Sequence, residues 1–313
     1  MSAPRIVSLL PSATEIVAAL GFADALVGRS HECDYPEEVA ELPVCTEPKL
    51  DPRGSSEEIH RSVSALLAQT LSVYRVDAER LRELEPTHLV TQVQCEVCAV
   101  SLEEVEEALG AWTDPTERPR LTALNPASLR EVFDDIGRVA EALGARERGA
   151  RLIARLRERM ERIAAAAANL PRPRVATIEW LSPLMTAGNW MPELVEMAGG
   201  ENVFGRAGRH SAWLSWEKLR AADPDVLVVF PCGFSLDRVE REIGLLTSLP
   251  GWTELSAVAA SRVYLAEANQ YFNRPGPRLA ETLEILAEIL HPEAFAFGHE
   301  GSAWKRAPRM NRS

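Results

Sequence analysis

The chain has 313 residues, 46% of them hydrophobic, and a formal net charge of -12 at pH 7. A chain of this length buries enough surface for two cores, so we expect two lobes. Lysine and arginine form no basic run, which excludes nucleic acid as a partner, because a phosphate-binding surface needs clustered cations. No apolar stretch approaches the roughly 18 residues of a membrane-spanning helix.

The N-terminus leads at once into an apolar pattern at residues 5–10, without the basic segment and apolar stretch of a secretory leader. The five cysteines are an odd number without the spacing of a disulfide framework, which is typical of a reducing compartment. The sequence therefore predicts a cytoplasmic protein. The alternative is a periplasmic or lipid-anchored protein whose leader has been removed.

The first half of the chain alternates short apolar runs with amphipathic stretches. Strands are predicted at residues 5–10, 25–29, 42–45, 88–93 and 121–124, and helices at residues 12–20, 55–69, 77–84, 102–109 and 127–143. Ser12 and Glu15 have the spacing of a capping box at the start of the first helix. Alternation of this kind predicts an N-terminal β/α lobe over residues 1–144.

Residues 146–169 contain no proline and end in an alanine-rich run, which predicts one long helix of roughly 36 Å. We assign residues 145–170 to this bridging helix. A second alternation over residues 171–290 predicts a C-terminal β/α lobe, and residues 291–313 are expected to form a weakly ordered tail. The predicted fold class is α/β, with two β/α lobes bridged by one long helix.

Four segments resemble a known family. They are RIVSLLPSATEI (residues 5–16), LVGRSHECDYP (residues 26–36), TAGNWMPELVEMAGGENVF (residues 186–204) and LSWEKL followed by DPDVLVV (residues 214–229). In this order they resemble the helical-backbone (class III) solute-binding proteins that deliver vitamin B12, siderophores and haem to ABC importers, and most of all the cobalamin-binding branch. The resemblance implies the same two-lobed fold and a metal chelate, cobalamin or a related corrinoid, bound between the lobes.

The resemblance also implies a set of ligand-binding residues in loops around the cleft. The candidates are Tyr35, Trp180, Trp190, Tyr271, Phe272, Arg274 and His31. Tyr35 matches a cleft-lining residue of the family, and flat aromatic walls suit a macrocycle. Each candidate also has an alternative interpretation. The aromatic residues are then packing residues of the lobes, Arg274 closes a loop, and His31 is a solvated loop histidine.

The family docks on its permease through an acidic residue on each lobe. Glu79 and Glu217 occupy the matching places, each near the start of a helix. The resemblance therefore implies an ABC permease as partner. The alternative is that both are ordinary solvated acids on helix faces.

The cysteines depart from the family pattern. Cys33 and Cys45 follow predicted strands, Cys95 and Cys98 form a CxxC pair behind another, and Cys232 ends a strand of the second lobe. Strand ends meet at one edge of an open α/β sheet, and thiolates bind zinc or iron–sulfur clusters. We therefore predict a centre on Cys33, Cys45, Cys95 and Cys98, a [4Fe-4S] cluster in preference to zinc, with Cys232 as an additional cleft thiol.

Two other interpretations of the thiols stay open: a redox-active Cys95–Cys98 disulfide, and cysteines that are simply small buried side chains. The chain has no GxSxG, P-loop, GxGxxG or HExxH motif, so we assign no catalytic residue. The sequence thus predicts a receptor for a corrinoid or similar chelate. The alternatives are a cytosolic Fe–S redox protein with a bound tetrapyrrole, and a metal scavenger or sensor without a transporter.

Overall fold

A computed structural model describes residues 3–68, 73–92, 102–110, 112, 114 and 118–308 of the chain. The N-terminal half folds into β1 (Ile6–Ser8), α1 (Pro11–Ala19), β2 (Leu26–Arg29), β3 (Thr46–Pro48), α2 (Ser56–Leu67), β4 (Tyr74–Val76), α3 (Ala78–Glu83), β5 (His88–Gln92), α4 (Leu102–Gly110), β6 (Arg120–Leu124) and α5 (Leu129–Ala142). The four strands β2, β1, β5 and β6 form a parallel sheet in that order, whereas β3 and β4 pair as an antiparallel ribbon.

The two faces of the N-lobe sheet have separate cores, because side chains alternate along a strand. Ile6 packs on one face with helices α1 and α5, and its neighbour Val7 packs on the other face with Leu81 of α3 and Val105 of α4. Both faces are therefore covered, as is usual for a parallel sheet.

The bridging helix is α6 (Arg146–Ala167), which packs on α5 of the N-lobe and on two helices of the C-lobe, α7 and α12. Its buried residues recur every three or four positions and include Leu152, Leu156, Met160 and Ile163. Such spacing produces one apolar stripe along a helix. The sequence prediction of a helix over residues 146–169 is thus confirmed to within the usual uncertainty of a helix end.

The second half contains β7 (Arg174–Leu181), β8 (Leu184–Thr186), α7 (Met191–Met197), β9 (Glu201–Asn202), β10 (Ala212–Trp213), α8 (Trp216–Ala222), β11 (Val226–Val229), α9 (Leu236–Glu242), α10 (Gly244–Thr247), α11 (Ser256–Ala259), β12 (Val263–Ala266), α12 (Leu279–Leu290) and β13 (Trp304–Arg306). The sheet order is β10-β8-β7-β11-β12-β13, and β9 pairs with the start of β7. Strands β7, β11 and β12 are parallel to one another. The α/β fold with two lobes and one bridging helix is confirmed.

The expectation of a weakly ordered tail is wrong for residues 291–308. Strand β13 extends the C-lobe sheet antiparallel to β12, and Trp304 is buried, with its indole Nε1 donating to Glu288 Oε2 at 2.8 Å. A three-residue strand with one buried tryptophan gives no periodic signal, so the sequence pattern could not reveal it. The exact domain boundaries stay a prediction.

Within the ranges that the structure describes, every helix is too short or too polar to cross a lipid bilayer.

Candidate functional site

The two lobes meet where loops follow the parallel strands. The loop after β2 contacts the segment after β12, since Arg274 Nη1 lies 2.6 Å from Asp34 Oδ1 and Asn269 Nδ2 lies 3.4 Å from Asp34 Oδ2. In open α/β sheets ligands bind beyond the carboxyl ends of the strands. The space between these loops is therefore the candidate ligand cleft.

A buried ion network crosses between the lobes at this place. Arg274 donates to both oxygens of Asp34 and, at 3.1 Å, to Oε1 of Glu15 in α1. Arg278 donates to the same Glu15 oxygen at 2.9 Å. Arg274 and Glu15 are only 4% and 2% exposed. The sequence predicts Arg274 as a ligand contact or a loop-closing residue; in the structure it joins the two lobes through Asp34 and Glu15.

Two tyrosines from opposite lobes lie against the second arginine. The Cζ atom of Arg278 is 4.3 Å from the ring centroid of Tyr35 and 5.0 Å from that of Tyr271. Contacts of this kind are cation–π interactions. Tyr35 is exposed and Tyr271 half-buried, so each presents ring surface to solvent. The structure thus brings the predicted residues Tyr35, Tyr271 and Arg274 together through Arg278, which sequence reasoning missed although it ends the same RPGPR segment.

The remaining predicted aromatic residues differ in their surroundings. Trp190 is buried and donates to the carbonyl oxygen of Phe272 at 3.3 Å, and Phe272 stacks on Phe230 at 4.5 Å between centroids. Both belong to the core that joins the lobes to α6. Trp180 is half-buried at the end of β7, edge-on to Phe234 at 5.4 Å. Trp180 is therefore the one of these three with surface to offer a ligand.

His31 lies on the N-lobe side, with its Nδ1 atom 2.8 Å from the hydroxyl of Thr46 and its ring 5.1 Å from that of Tyr74. Burial lowers the pKa of His31, and the nearby Arg29 lowers it further. The ring is therefore neutral at pH 7, which is the form that coordinates metals. Burial raises the pKa of the adjacent Glu32, whose Oε1 accepts from the hydroxyl of Tyr74 at 3.1 Å.

The predicted four-cysteine centre is not supported. Cys33 belongs to the core that contains Ile6 and Cys45 to the core that contains Val7, so the two thiols lie on opposite faces of the N-lobe sheet. Burial raises the pKa of Cys33 to about 11 and that of Cys45 to about 12. Both are therefore protonated thiols at pH 7.

The rest of the predicted centre adds nothing to it. Cys95 and Cys98 fall outside the described residues. The structure therefore tests neither their part in a cluster nor the alternative Cys95–Cys98 disulfide. Among the residues that are described, no three His, Cys, Asp or Glu side chains are grouped to hold a metal ion. The Cys33 thiol instead accepts a hydrogen bond from Thr14 at 3.0 Å. Cys33 and Cys45 are thus small buried side chains, while Cys232 is half-buried behind β11.

The two predicted docking acids are both exposed and lie on different lobes. Glu79 is in the first turn of α3, which Asp77 caps, and Glu217 is in the first turn of α8, which Ser215 caps. Glu217 also borders a shallow cavity of about 400 Å³ beside Arg220. Carboxylates at these positions are favoured by the helix dipole, a role that needs no partner protein.

Two α/β lobes that are joined by one long helix and meet at their strand-end loops have the architecture of a two-lobed solute receptor. Residues 6–269 match the model of the periplasmic binding protein family, and the chain belongs to that family.

Relatives of established sequence similarity cover nearly the whole chain. An uncharacterized ABC transporter substrate-binding lipoprotein of Bacillus subtilis, YvrC, is 25% identical over 305 residues, which are 93% of this chain and 81% of that protein. The vitamin B12-binding protein of Vibrio vulnificus is 24% identical, covering 91% and 89%. The periplasmic heme-binding protein RhuT of Roseiflexus superposes with a TM-score of 0.68 at 25% identity, covering 94% of this chain and 100% of that one.

The predicted cytoplasmic location is wrong. The Bacillus relative is a lipoprotein and the Roseiflexus structure is that of a periplasmic protein, so the comparisons contradict it. The prediction rested partly on unpaired cysteines. Oxidation requires an accessible thiolate, and Cys33 and Cys45 are buried thiols with raised pKa values. Unpaired cysteines of this kind are compatible with either compartment and carry no information about location.

Proposed function

We propose that the protein is the solute receptor of an ABC importer and binds a corrinoid or haem-type metal chelate between its lobes. The observation that carries the proposal is the placement of Tyr35 and Tyr271, from opposite lobes, on one arginine at the meeting point of the strand-end loops. The family assignment supports it, as do the relatives that bind vitamin B12 and heme.

The cleft residues divide into two kinds in this proposal. Tyr35, Tyr271 and Trp180 supply apolar ring surface for the macrocycle. Polar contacts come from His31 and from Asp34, whose side chain is 43% exposed, whereas Arg274, at 4%, positions Asp34 rather than touching the ligand. A carboxylate accepts from amide N–H groups, so Asp34 suits the periphery of a corrinoid. The half-buried Cys232 behind β11 is proposed as an additional thiol of the cleft.

A titration with cyanocobalamin and with hemin tests the proposal, followed by calorimetry and by the shift in thermal unfolding. Replacing Tyr35 by Ala is expected to weaken binding of the cognate chelate about tenfold, because a buried ring contact is lost. Phe297→Ala is the matched control, since Phe297 is similarly exposed but packs against Phe295. Wild-type protein that shows neither heat nor a thermal shift with either chelate would overturn the proposal.

We further propose that Glu79 and Glu217 contact the two halves of the permease, because they are exposed on different lobes. Replacing each by Ala should weaken association with the cognate permease in a pull-down and leave chelate binding unchanged. Glu240→Ala on the exposed side of α9 is the control. Permease association that is unaffected by the double replacement would reject this docking role.

A further inference from the structure

Helix α2 belongs to the N-lobe in sequence but packs on the C-lobe. The antiparallel ribbon of β3 and β4 flanks α2 on both sides in the sequence. The backbone N–H of Lys49 extends this ribbon by donating to the carbonyl oxygen of Val73 at 2.8 Å. Ile59 of α2 packs against the C-lobe core, and the ring of His60 is edge-on to Trp213 of β10 at 5.3 Å. We call residues 49–68 the α2 arm. The arm thus reaches from one lobe to the other.

Two side chains of α9 hold the start of the arm. Arg238 donates from Nη1 to the carbonyl oxygen of Pro52 at 2.8 Å and from Nη2 to that of Gly54. Glu242 accepts from the backbone N–H of Ser56 at 3.0 Å and from its hydroxyl. The first N–H groups of a helix have no partner within it, and a carboxylate there also interacts favourably with the helix dipole. A C-lobe carboxylate therefore caps an N-lobe helix.

The contacts of Arg238 and Glu242 with the α2 arm are well shielded from solvent. The side chains of Arg238 and Glu242 are 18% and 16% exposed, and they also pair with each other at 3.3 Å. The guanidinium lies over the ring of Phe234, with Cζ 3.7 Å from the centroid. Shielded charge-assisted hydrogen bonds are stronger than exposed ones. The docked position of the arm is consequently specified by several bonds at once.

The docked arm lies against the C-lobe sheet near the carboxyl end of β7. It contacts β7, and Phe234 beneath Arg238 is the ring on which Trp180 packs at the end of that strand. Ligands of open α/β sheets bind beyond this end of the strands. A chelate between the lobes therefore lies next to the arm, while the ion network of Arg274 and Asp34 joins the lobes at the loops after β12 and β2.

We propose that α2 is a clasp over the ligand cleft, positioned by Arg238 and Glu242, whose undocking sets how fast a chelate enters and leaves. This inference rests on the function proposed above. Arg238 and Glu242 are positioning residues that act through the arm and need not touch the ligand.

Two measurements on the full chain test the clasp. Without ligand, hydrogen exchange of residues 55–66 should be faster in Arg238→Ala and in Glu242→Gln than in wild type. With cyanocobalamin or hemin as the probe, stopped-flow absorbance should show association and dissociation both accelerated on the order of tenfold, with a smaller change in Kd. Arg238→Lys should give an intermediate result, because one ammonium does not reproduce a guanidinium fork. Arg241→Ala, an exposed neighbour on α9, should behave as wild type.

The outcomes separate the clasp from the function. Faster exchange with unchanged ligand kinetics overturns the clasp and leaves the receptor function intact. Glu242→Gln keeps the shape of the side chain. If hydrogen exchange of residues 55–66 is unchanged in this variant, the positioning role of Glu242 is overturned, even if Arg238→Ala fails to fold. Absence of binding of both chelates by the wild type overturns the proposed function and the clasp with it.

Discussion

Arg274 and Asp34 join the two lobes by two parallel N–H···O bonds, with Nη1–Oδ1 at 2.6 Å and Nη2–Oδ2 at 3.0 Å. Paired bonds of this geometry are the strongest that arginine makes with a carboxylate. The same guanidinium also donates to Glu15, which is buried, whereas the Asp34 side chain is 43% exposed. The two acids therefore differ in how much protein stability depends on them.

We predict that Glu15→Gln destabilises the fold by about 3 kcal/mol, since it leaves two buried arginines short of a counter-charge. Asp34→Asn should cost under about 1 kcal/mol, because the exposed Asp34 carboxylate is already solvated and Arg274 keeps Glu15 as a counter-charge. Urea unfolding of both variants measures the difference. Equal losses would mean that burial does not determine the contribution of these ion pairs.

The strand at the C-terminus should be structurally essential. Trp304→Ala removes a buried ring that packs edge-on against Tyr264 at 5.6 Å and bonds to Glu288, and we expect a loss of about 3–5 kcal/mol. Thermal and urea unfolding measure it. The control is Phe297→Ala in the same segment, which should change stability by no more than about 0.5 kcal/mol. Indistinguishable variants would show that β13 adds little to the sheet.

Stability should fall as the pH rises past neutrality because of His299. A hydrogen bond from its Nε2 to Glu284 at 3.0 Å raises the pKa of His299 above its ordinary 6.5, and Arg159 pairs with the same carboxylate. A histidine whose pKa is higher in the folded than in the unfolded protein stabilises the fold. This stabilisation is fully present below pH 6.5 and is lost as the pH rises through the pKa of His299 in the folded protein.

Replacement by Gln should abolish this dependence. Between about pH 6 and about pH 8.5, wild type should lose about 1 kcal/mol more than His299→Gln in urea unfolding. Parallel pH profiles for the two proteins would show that His299 does not titrate in this range.

The cysteines should differ sharply in reactivity. Cys232 is half-buried, whereas Cys33 and Cys45 are buried with pKa values raised to about 11 and about 12. Iodoacetamide at neutral pH should therefore label Cys232 in the folded protein, and Cys33 and Cys45 only in denaturant. Peptide mass spectrometry gives the order of labelling. Early labelling of Cys33 would show that its environment opens readily and would reopen the question of a thiol site.

The sequence by itself determined most of the helices, the main parallel strands and their order, but not short strands such as β4 and β13. Alternating apolar runs identify the β/α lobes, and the proline-free residues 146–169 identify α6, because these signals are local and repeat with the period of a strand or a helix. The family resemblance added the arrangement of the lobes. It also directed attention to the loop of Tyr35 and to the segment of Tyr271 and Arg274, which do meet.

Only the tertiary structure decided which side chains meet. Cys33 and Cys45 both follow β2, yet they lie on opposite faces of the sheet, because a side chain's face depends on strand parity and loop path. Arg274 and Asp34 are 240 residues apart, and Arg238 reaches a carbonyl 186 residues away. Contacts at such separations leave no periodic signal in the sequence, because they depend on how completed lobes are placed against each other. The cleft, its ion network and the α2 arm are therefore properties of the folded chain alone.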